Sequence, residues 1–414
     1  MKGKKALKII GIIVAVIAVL IAVSIGVTAI GNKANTEKAK SFEKVQIENQ
    51  LIPVKGNDGN WIFTADRDFR VMQLTDIHIG AGWMSQKKDA MALNAVAAMI
   101  TAEKPDLVVV TGDIAYPVPF QSGTFNNLAG AKIFAALMEQ LGVYWTVAFG
   151  NHDTEAYSYY NRAEISDFYE NGGFEYCLYH RGPENIDGYG NNIIKVQNSN
   201  GEITQAIFTF DSHSYTDGDY LGIFWKYDNI HENQVEWYNQ AVLEMNEHNA
   251  KLTGNESATV KSSAFFHIPL TEQRDAWYEY VENGFEDTEN VKFVYGKAGE
   301  DGKIVYPGMN EDSLFETMLE LGSTKAVFCG HDHENNFSVE YKGIRLSYAM
   351  SVDYLAYPGI YKLGTQRGCT MITYSPDGSF DCKNENYYQD KYTSLYNKEA
   401  VTMQELTNLA ELPE

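Results

Sequence analysis

Short runs of β-branched and aromatic residues alternate with longer helical stretches from Trp61 onward, a pattern that few architectures satisfy. The runs predicted as strands are Val71–Thr75, Leu107–Thr111, Tyr144–Phe149, Ala206–Phe210, Ala264–Phe266 and Lys325–Cys329. The stretches predicted as helices are Lys87–Ala102, Phe125–Leu141 and Glu232–His248. Alternation of this kind predicts a layered α/β domain. After Gly330 only strands follow, at Ile344–Met350, at Thr370–Tyr374 and around Phe380, so we expect the sheet to end in an antiparallel portion.

The amino-terminal segment differs from the rest of the chain because a basic start precedes an uncharged apolar run. Residues 1–8 carry four lysines, and the run at 9–30 is rich in Ile, Val, Ala and Leu. A membrane span needs about 20 apolar residues, whereas the apolar region of a cleaved signal has about 7–15. We therefore predict a cytoplasmic basic segment followed by a transmembrane anchor. The alternative is a long signal peptide cut near Ala29 or Ala34, which would leave the following domain on the same, extracytoplasmic side.

Charge and composition limit the remaining organisation of the chain. The 414 residues carry a formal net charge of −22, so binding of a nucleic acid through charge is not expected. Residues 31–55 are polar, rich in Lys and Glu and without a strong apolar face, which predicts a linker or stalk. Residues 56–395 are predicted to form one domain and 396–414 an acidic tail. The membrane is thus the predicted macromolecular partner, and the oligomeric state stays open.

Four cysteines are too few for a disulfide scaffold, and none shows the paired short spacing of a zinc ribbon. Cys369 and Cys382 flank a turn at Asp377-Gly378. That turn places Cys382 opposite Ile372 or Thr373 in a hairpin, so a bridge between these two cysteines is not expected.

Side chains that can bind metals follow directly after five of the predicted strands. They are Asp76-Ile77-His78, Gly112-Asp113, Gly150-Asn151-His152-Asp153, Phe266-His267 and Gly330-His331-Asp332-His333. Because ligands collect at the carboxyl ends of strands in α/β sheets, these residues are expected to share one cleft. Mixed imidazole and oxygen ligands suit Mn, Fe, Zn or Co, and there are more of them than one ion needs. Two metal ions with a bridging carboxylate are therefore predicted.

In order and spacing, these motifs resemble the calcineurin-like metallophosphoesterase superfamily. The resemblance covers roughly residues 60–350, and within the superfamily the chain looks most like the purple-acid-phosphatase-like phosphohydrolases, partly because His267 lies in the run Ala264–Pro269. The resemblance implies a four-layer α/β/β/α sandwich, a two-metal centre and hydrolysis of phosphate esters. It implies in-line attack on phosphorus by a hydroxide held by the two metals.

The resemblance also implies a role for each motif residue. Asp76, His78 and His333 would hold the first metal, Asn151, His267 and His331 would hold the second, and Asp113 would bridge the two. His152 would bind the phosphoryl group or protonate the leaving oxygen, and Asp153 is expected to orient the His152 imidazole. Asp332 is expected to point away from the metals or to support their ligands.

One departure from the purple acid phosphatase pattern concerns the choice of metal. Those enzymes carry a Tyr ligand three residues after the bridging Asp and a Gly in place of the first His. This chain has Tyr116 at the first of these positions and keeps His78 at the second. We expect His78 to bind metal and Tyr116 to form a pocket wall, which leaves no tyrosine-to-iron chromophore; a Tyr116 ligand is the alternative.

Two further residues are candidates for the substrate pocket. His213 follows the strand Ala206–Phe210, so it is expected either to touch substrate or to make a structural hydrogen bond. Tyr157 is predicted, with Tyr159 and Tyr160, to lie on a half-buried helix and either to line the cleft or to pack there.

The first functional hypothesis is a membrane-anchored, extracytoplasmic phosphohydrolase acting on phosphate monoesters. About 80 residues follow His333, which leaves little room for the large substrate domain of extracellular 5′-nucleotidases of this superfamily. A phosphodiesterase acting on nucleotides, lipid head groups or envelope polymers is one alternative. An inactive metal-binding surface domain is another, since a fold alone does not imply a function.

Overall fold

The computed structural model describes residues 2–219, 221–300, 305–357 and 367–387. The helices are α1 (Lys2–Ala39), α2 (Gln86–Glu103), α3 (Pro119–Ser122), α4 (Asn127–Leu141), α5 (Arg162–Asn171), α6 (Glu232–Thr253), α7 (Thr271–Glu282) and α8 (Leu314–Leu321). The strands are β1 (Val54–Lys55), β2 (Trp61–Thr64), β3 (Phe69–Leu74), β4 (Leu107–Thr111), β5 (Trp145–Ala148), β6 (Asn192–Gln197), β7 (Ile203–Thr209), β8 (Lys261–Phe265), β9 (Val291–Tyr295), β10 (Thr324–Cys329), β11 (Ser338–Tyr341), β12 (Ile344–Tyr348), β13 (Gly368–Tyr374) and β14 (Phe380–Tyr387). The acidic tail predicted at 396–414 lies outside the described residues.

The strands form two sheets. The larger has nine strands in the order β1-β2-β6-β7-β8-β10-β12-β11-β9, and the smaller has five in the order β14-β13-β3-β4-β5. Strands β3, β4 and β5 are parallel to one another, as are β7, β8, β10 and β12. The late strands add antiparallel pairs, β11 with β12 and β13 with β14, which agrees with the antiparallel portion predicted after Gly330.

Strand residues alternate between an inner and an outer core, and this alternation builds the layers. In β3, Phe69 and Val71 face the core between the two sheets, whereas Met72 and Leu74 face the core beneath α2 and α4. A third core lies between the nine-stranded sheet and helices α6, α7 and α8. Strands buried on both faces read as continuous apolar runs, which is why β4 could be predicted at its true bounds. The result is the expected four-layer α/β/β/α sandwich.

Helix α1 is the one helix in the described residues that is long and apolar enough to cross a membrane. Its apolar window has a mean hydropathy of 3.1, and none of that window is buried against the rest of the protein. Within the linker or stalk predicted at 31–55, the chain continues as helix to Ala39 and then packs on the domain. Ala39, Phe42 and Val45 are buried in the core beneath α2 and α4. Single apolar residues in a polar stretch are enough for this docking, although they form no periodic face in the sequence.

The tyrosines expected on a helix lie instead in the turn that precedes α5, so that prediction is wrong. Helix α5 begins only at Arg162, because Asn161 caps it. The Asn161 side chain accepts from the backbone N–H of Glu164, and the Glu164 carboxylate accepts from the backbone N–H of Asn161. The prediction also missed several short elements, α3, α5, α7, α8, β1, β2, β6, β9 and β11. All four cysteines are free thiols, and Cys382 pairs with Ile372 across the hairpin, as the turn predicted.

Candidate metal centre

The predicted ligands come from the carboxyl ends of strands in both sheets. Asp76 and His78 follow β3, Asp113 follows β4 and Asn151 follows β5. The nine-stranded sheet supplies His267 after β8, and His331 and His333 after β10. Backbone hydrogen bonds hold the first two loops together, from Asp76 N–H to Gly112 O at 3.1 Å and from His78 N–H to Asp113 O at 3.0 Å. The strand ends therefore bring all seven predicted ligands to one edge of the sandwich.

The backbone at these strand ends is strained. Asp76, His78, Asp113 and His331 have φ angles of 50°, 53°, 54° and 77°, in the left-handed region that costs a non-glycine residue about 1–2 kcal/mol. Such strain persists only where surrounding structure enforces it, and it concentrates at functional sites. Gly150 has a different role, since a Cβ there would lie 2.1 Å from Oδ1 of Asp113. The Gly150 position thus accepts no side chain without displacing the predicted bridging carboxylate.

One group of ligand atoms surrounds the first metal position. One atom from each of Asp76, His78, Asp113 and His333 lies within 4.8 Å of the others, and all four residues are buried. Nε2 of His78 is 3.3 Å from Oδ2 of Asp113, and Nε2 of His333 is 3.3 Å from Oδ1 of Asp76. These distances place the lone pairs of the histidine nitrogens and the carboxylate oxygens around a common centre.

A second group lies on the other side of Asp113. Oδ1 of Asn151 is 3.1 Å from Nε2 of His267 and 3.1 Å from Nδ1 of His331. Nε2 of His267 is also 3.3 Å from Oδ2 of Asp113, the same oxygen that faces His78. Asp113 therefore lies between the two groups, where a bridging ligand is required.

The hydrogen-bond pattern shows that these residues fit cations. Nδ1 of His267 lies 2.8 Å from the carbonyl of Thr111 and must donate to it, so the lone pair of Nε2 points at two further acceptors. Oδ1 of Asp76 is buried without a hydrogen-bond partner. Burial opposes a charged imidazole, yet Asp113 raises the pKa of His267 to about 9. A proton supplies positive charge in a metal-free site, and a metal ion would supply positive charge to the same converging lone pairs.

A buried carboxylate that the sequence did not reveal supports the first metal position. Oδ1 of Asp353 is 3.1 Å from Nδ1 of His78, and Oδ2 is 3.3 Å from Nδ1 of His333. Burial opposes ionisation of Asp353, but His78 and then His333 hold its pKa well below the usual value. Carboxylates that bind the outer nitrogen of a ligand histidine fix the ring so that the other nitrogen faces the metal. Asp353 lies at ion-pair distance from two such nitrogens at once, although neither contact has the geometry of a hydrogen bond.

His152 lies beside the metal positions. Its backbone N–H donates to Oδ1 of Asp113 at 2.8 Å, and its side chain is 24% exposed. Nδ1 is 2.6 Å from Oε1 of Glu155, which also accepts from the hydroxyl of Tyr215 at 3.0 Å. Tyr215 in turn accepts from the amide of Asn151 at 3.0 Å, so the Asn151 oxygen points into the site. One hydrogen-bond chain thus orients both the imidazole and a metal ligand.

Asp153 does not orient His152, contrary to the expectation from the sequence. Its carboxylate accepts from the backbone N–H groups of Asp113, Ala115 and Gly150 at 2.9 Å each. Burial, and then Asp113, raise the pKa of Asp153 to about 6. Asp153 therefore braces the loop that carries the bridging carboxylate, and Glu155 takes the orienting place.

The fold and this site agree with the comparison to known families. The family model described as calcineurin-like phosphoesterase matches residues 69–335, more than half of the chain and a range that contains all seven predicted metal ligands. The chain belongs to this family. Its members' metal chemistry accounts for the buried Asp and His cluster as a site for two ions, whose identity the cluster does not specify.

Relatives of this calcineurin-like phosphoesterase include two Arabidopsis thaliana proteins named probable inactive purple acid phosphatase 28 and 29. They are 28% and 27% identical over 319 and 340 residues, covering 71% and 78% of this chain and 73% and 80% of theirs. Phosphatase DCR2 of Saccharomyces cerevisiae is 29% identical over 290 residues, 66% of this chain and 45% of that protein. A solved dimetal phosphatase from Danio rerio aligns with a TM-score of 0.45 at 11% identity, over 78% of this chain and 100% of that one.

The phosphoesterase site opens into a cavity of about 400 Å³. Six of its thirteen lining residues are Tyr or Trp, and acidic side chains and histidines lie among them: Tyr116, His152, Tyr215, Gly222, Trp225, Tyr227, Glu300, Tyr306, His331, Asp332, His333, Ala356 and Tyr357. No Lys or Arg is among these described lining residues. Burial raises the pKa of Asp332 to about 7, and its carboxylate accepts from the hydroxyl of Tyr348 and the backbone of Tyr306.

The remaining sequence candidates lie at different distances from this cavity. Tyr116 packs at a tilt against His78 and edge-on against His152, with ring centroids 4.5 and 4.8 Å apart, and its hydroxyl donates to Gln121 at 2.6 Å. It lines the cavity and makes no contact through oxygen with the ligand groups. Tyr157 is not among the lining residues and packs against Phe125.

His213 lies outside this cavity. It stacks on His231 and faces Gln234, and burial lowers its pKa.

The sequence did not predict Asp353, Glu155 or the aromatic side chains that line the cavity, which we call the aromatic wall. Glu155 lies one helical turn after His152, so its spacing is a usable signal. Asp353 follows no strand-end motif, and only the fold brings it to His78 and His333. Tyr215, Trp225 and Tyr227 belong to an irregular loop whose position depends on its neighbours.

Proposed function

We propose that this phosphoesterase is an active hydrolase of phosphate monoesters that uses two divalent or mixed-valence metal ions. The observation that carries the proposal is the complete ligand set, with His152 placed beside it at the cavity. Asp76, His78 and His333 would hold one ion and Asn151, His267 and His331 the other, with Asp113 between them. The ions would activate water and neutralise charge on the phosphoryl oxygens. Mn, Fe, Zn and Co all suit these ligands.

His152 supplies the proton that the departing alcohol needs. Glu155 binds Nδ1, so Nε2 remains for the substrate, and the half-buried ring can exchange protons with solvent between turnovers. A positioned general acid contributes about 10²- to 10⁴-fold to a rate. Tyr116 packs on the His152 ring and limits its rotation.

The relatives named probable inactive do not argue against activity here, because that name describes those proteins. In this chain every ligand position carries an oxygen or imidazole side chain, and the outer carboxylate Asp353 is in place. An enzyme that had lost its activity would gain nothing from strained backbone at Asp76, His78, Asp113 and His331, since such strain lowers stability.

The cavity lining limits which phosphate esters can bind. Glu300 and Asp332 face a cavity whose described lining has no Lys or Arg, so substrates with further phosphate groups would be repelled. The aromatic wall suits an alcohol with a flat or apolar body. The same lack of cationic side chains favours a phosphodiester, which carries less charge, as the second candidate.

Hydrolysis of an aryl phosphate and an aryl phosphodiester, side by side, tests this proposal. With Mn, Fe or Zn restored, the monoester is expected to react faster, and His152→Ala should lower kcat about 10²- to 10⁴-fold. His248→Ala, at an exposed histidine of α6, is the matched control and should leave the rate unchanged. Faster hydrolysis of the diester would replace the first candidate with the second, and an inert metal-loaded protein would contradict both.

We also propose that α1 anchors the enzyme in a membrane with the domain outside. The length and hydropathy of α1 and the four lysines before its apolar run support this arrangement. Protease added to intact cells that make the full chain should then remove the domain. A domain that is degraded only after the membrane is permeabilised would contradict this orientation.

A further inference from the structure

A second group of metal-binding side chains lies outside the phosphoesterase centre. His213, Asp228 and His231 each offer one ligand atom, and these three atoms lie within 4.8 Å of one another. All three residues are partly buried. His213 comes from the segment after β7, whereas Asp228 and His231 precede α6, so the group joins two separate elements.

The surroundings of the group resemble those of bound metal ions. Nε2 of His231 is 3.4 Å from Oδ2 of Asp228, and Nδ1 of the same ring is 2.8 Å from Oδ2 of Asp187. A carboxylate on one nitrogen with a second ligand near the other is the arrangement that orients histidines toward metal. Gln234 fixes the other ring, since its Oε1 lies 3.1 Å from Nε2 of His213.

The two imidazoles stack face to face, so the lone pairs of their nitrogens run nearly parallel, and one ring must turn before both can bind one ion. Their ring centroids are 4.0 Å apart with an angle of 19° between the planes. In a tetrahedral zinc site with bonds of about 2.0–2.2 Å, neighbouring ligand atoms are about 3.3–3.6 Å apart, so the ligand atoms, which lie within 4.8 Å of one another, must also move closer together. Asp228 and Asp187 together supply two negative charges near the position of a dication.

The group joins the two ends of the loop that forms the aromatic wall of the cavity. We name residues 214–219 and 221–230 the aromatic loop, since Tyr215, Trp225 and Tyr227 lie in it and line the cavity. Near its base, Asp228 N–H bonds to Ser214 O at 3.2 Å, and Tyr215 and Tyr227 form a bridge. An ion held by residues at both ends would fasten this base.

We propose that His213, Asp228 and His231 form a third metal site, for a borderline divalent ion such as zinc, that fastens the aromatic loop. The mixture of two imidazoles and one carboxylate selects zinc over magnesium or calcium, which prefer oxygen ligands. Three protein ligands leave the fourth position to water. The site holds the cavity wall in place and does not touch the reacting phosphate.

Zinc stoichiometry tests this site on the full chain in detergent. Metal-stripped protein is titrated with zinc, dialysed and analysed for zinc per chain. His213→Gln/His231→Gln should bind one zinc fewer than the wild type, and the control His248→Gln should bind as many as the wild type. The expected difference is one ion per chain whatever the phosphoesterase centre holds, so failure of the proposed function would not hide it. Equal zinc content in all three proteins would overturn the site.

Proteolysis of the wild type alone gives a second test that does not depend on a variant folding. Lys226 is exposed within the aromatic loop, and cleavage after it can be followed by mass spectrometry. At free zinc of about 100 times Kd, opening of the loop should fall about 100-fold, and the cleavage rate should fall with it. An unchanged rate with and without zinc would contradict the fastening role.

Discussion

Asp353 is the residue through which the first metal position is held in shape. Its two carboxylate oxygens face the outer nitrogens of His78 and His333, and each of those rings points its other nitrogen at a carboxylate. The same side chain accepts from the backbone N–H of Leu355 and Ala356, which fixes its own position. We therefore predict that metal affinity depends on Asp353, a residue outside the seven candidate ligands.

Asp353→Asn is expected to weaken metal binding about 10- to 100-fold, because only one of the two histidines keeps an acceptor. Activity should return at high metal concentration, since the ligands themselves remain. Titration of metal-stripped protein measures the affinity, and Asp275→Asn, at an exposed acid of α7, is the control. Unchanged affinity in Asp353→Asn would refute the orienting role.

At the scale of elements, the junction between α1 and the domain is a packed contact. Phe42 and Val45 are buried beside α2 and α4, and Val45 N–H bonds to Leu141 O at 2.9 Å. The amide of Gln140 donates to Phe42 O at 2.9 Å. The domain is thus held close to the end of the apolar helix, where a flexible stalk would let it move freely.

Phe42→Ala should release this junction, because removing a buried phenyl ring costs about 3–5 kcal/mol. Cleavage by trypsin after the exposed Lys40 is expected to accelerate by about 100-fold or more, while cleavage within the domain stays slow. Glu43→Ala, at the exposed neighbouring residue, is the matched control. Equal cleavage of wild type and Phe42→Ala would show that the segment is not docked.

The packing of α7 near α8 predicts a pH dependence of stability. Burial, and then Asp312 and Glu316, raise the pKa of Glu272 to about 7. In the unfolded chain this carboxyl ionises near its ordinary value of about 4.3, so between that pH and 7 the folded state holds the extra proton. Stability from this group is therefore greatest at low pH and falls as pH rises through 7.

Glu272→Gln should remove that decline. At pH 8 the variant is expected to be more stable than the wild type by about 2 kcal/mol, after allowance for solvent screening, and the two should converge near pH 4.5. Urea unfolding at both pH values measures the difference. Glu282→Gln, at the exposed end of the same helix, is the control, and a wild type that loses no stability between these pH values would contradict the prediction.

At the scale of the whole molecule, the sequence predicts those parts whose causes are local. Strand β4 is buried on both faces, so its apolar run marks its bounds, and the polar residues at strand ends mark seven candidate ligands that the fold brings together. Asp353 and the aromatic loop could not be predicted in this way, because their positions depend on packing between segments far apart in the chain. The docking of Phe42 could not be predicted from the sequence either, since an isolated apolar residue gives no periodic signal.

Joint measurement of metal content and phosphate release tests the two-metal hydrolase most directly. Metal-stripped full-length protein, titrated with Mn, Fe or Zn, should hydrolyse an aryl phosphate as the Asp113-bridged centre fills. Asp113→Asn should lower both metal content and rate, the rate by more than about 100-fold, because changes to outer residues alone cost about 10- to 100-fold. A wild type that binds the metals without releasing phosphate, or an Asp113→Asn variant that keeps full activity, would contradict the account.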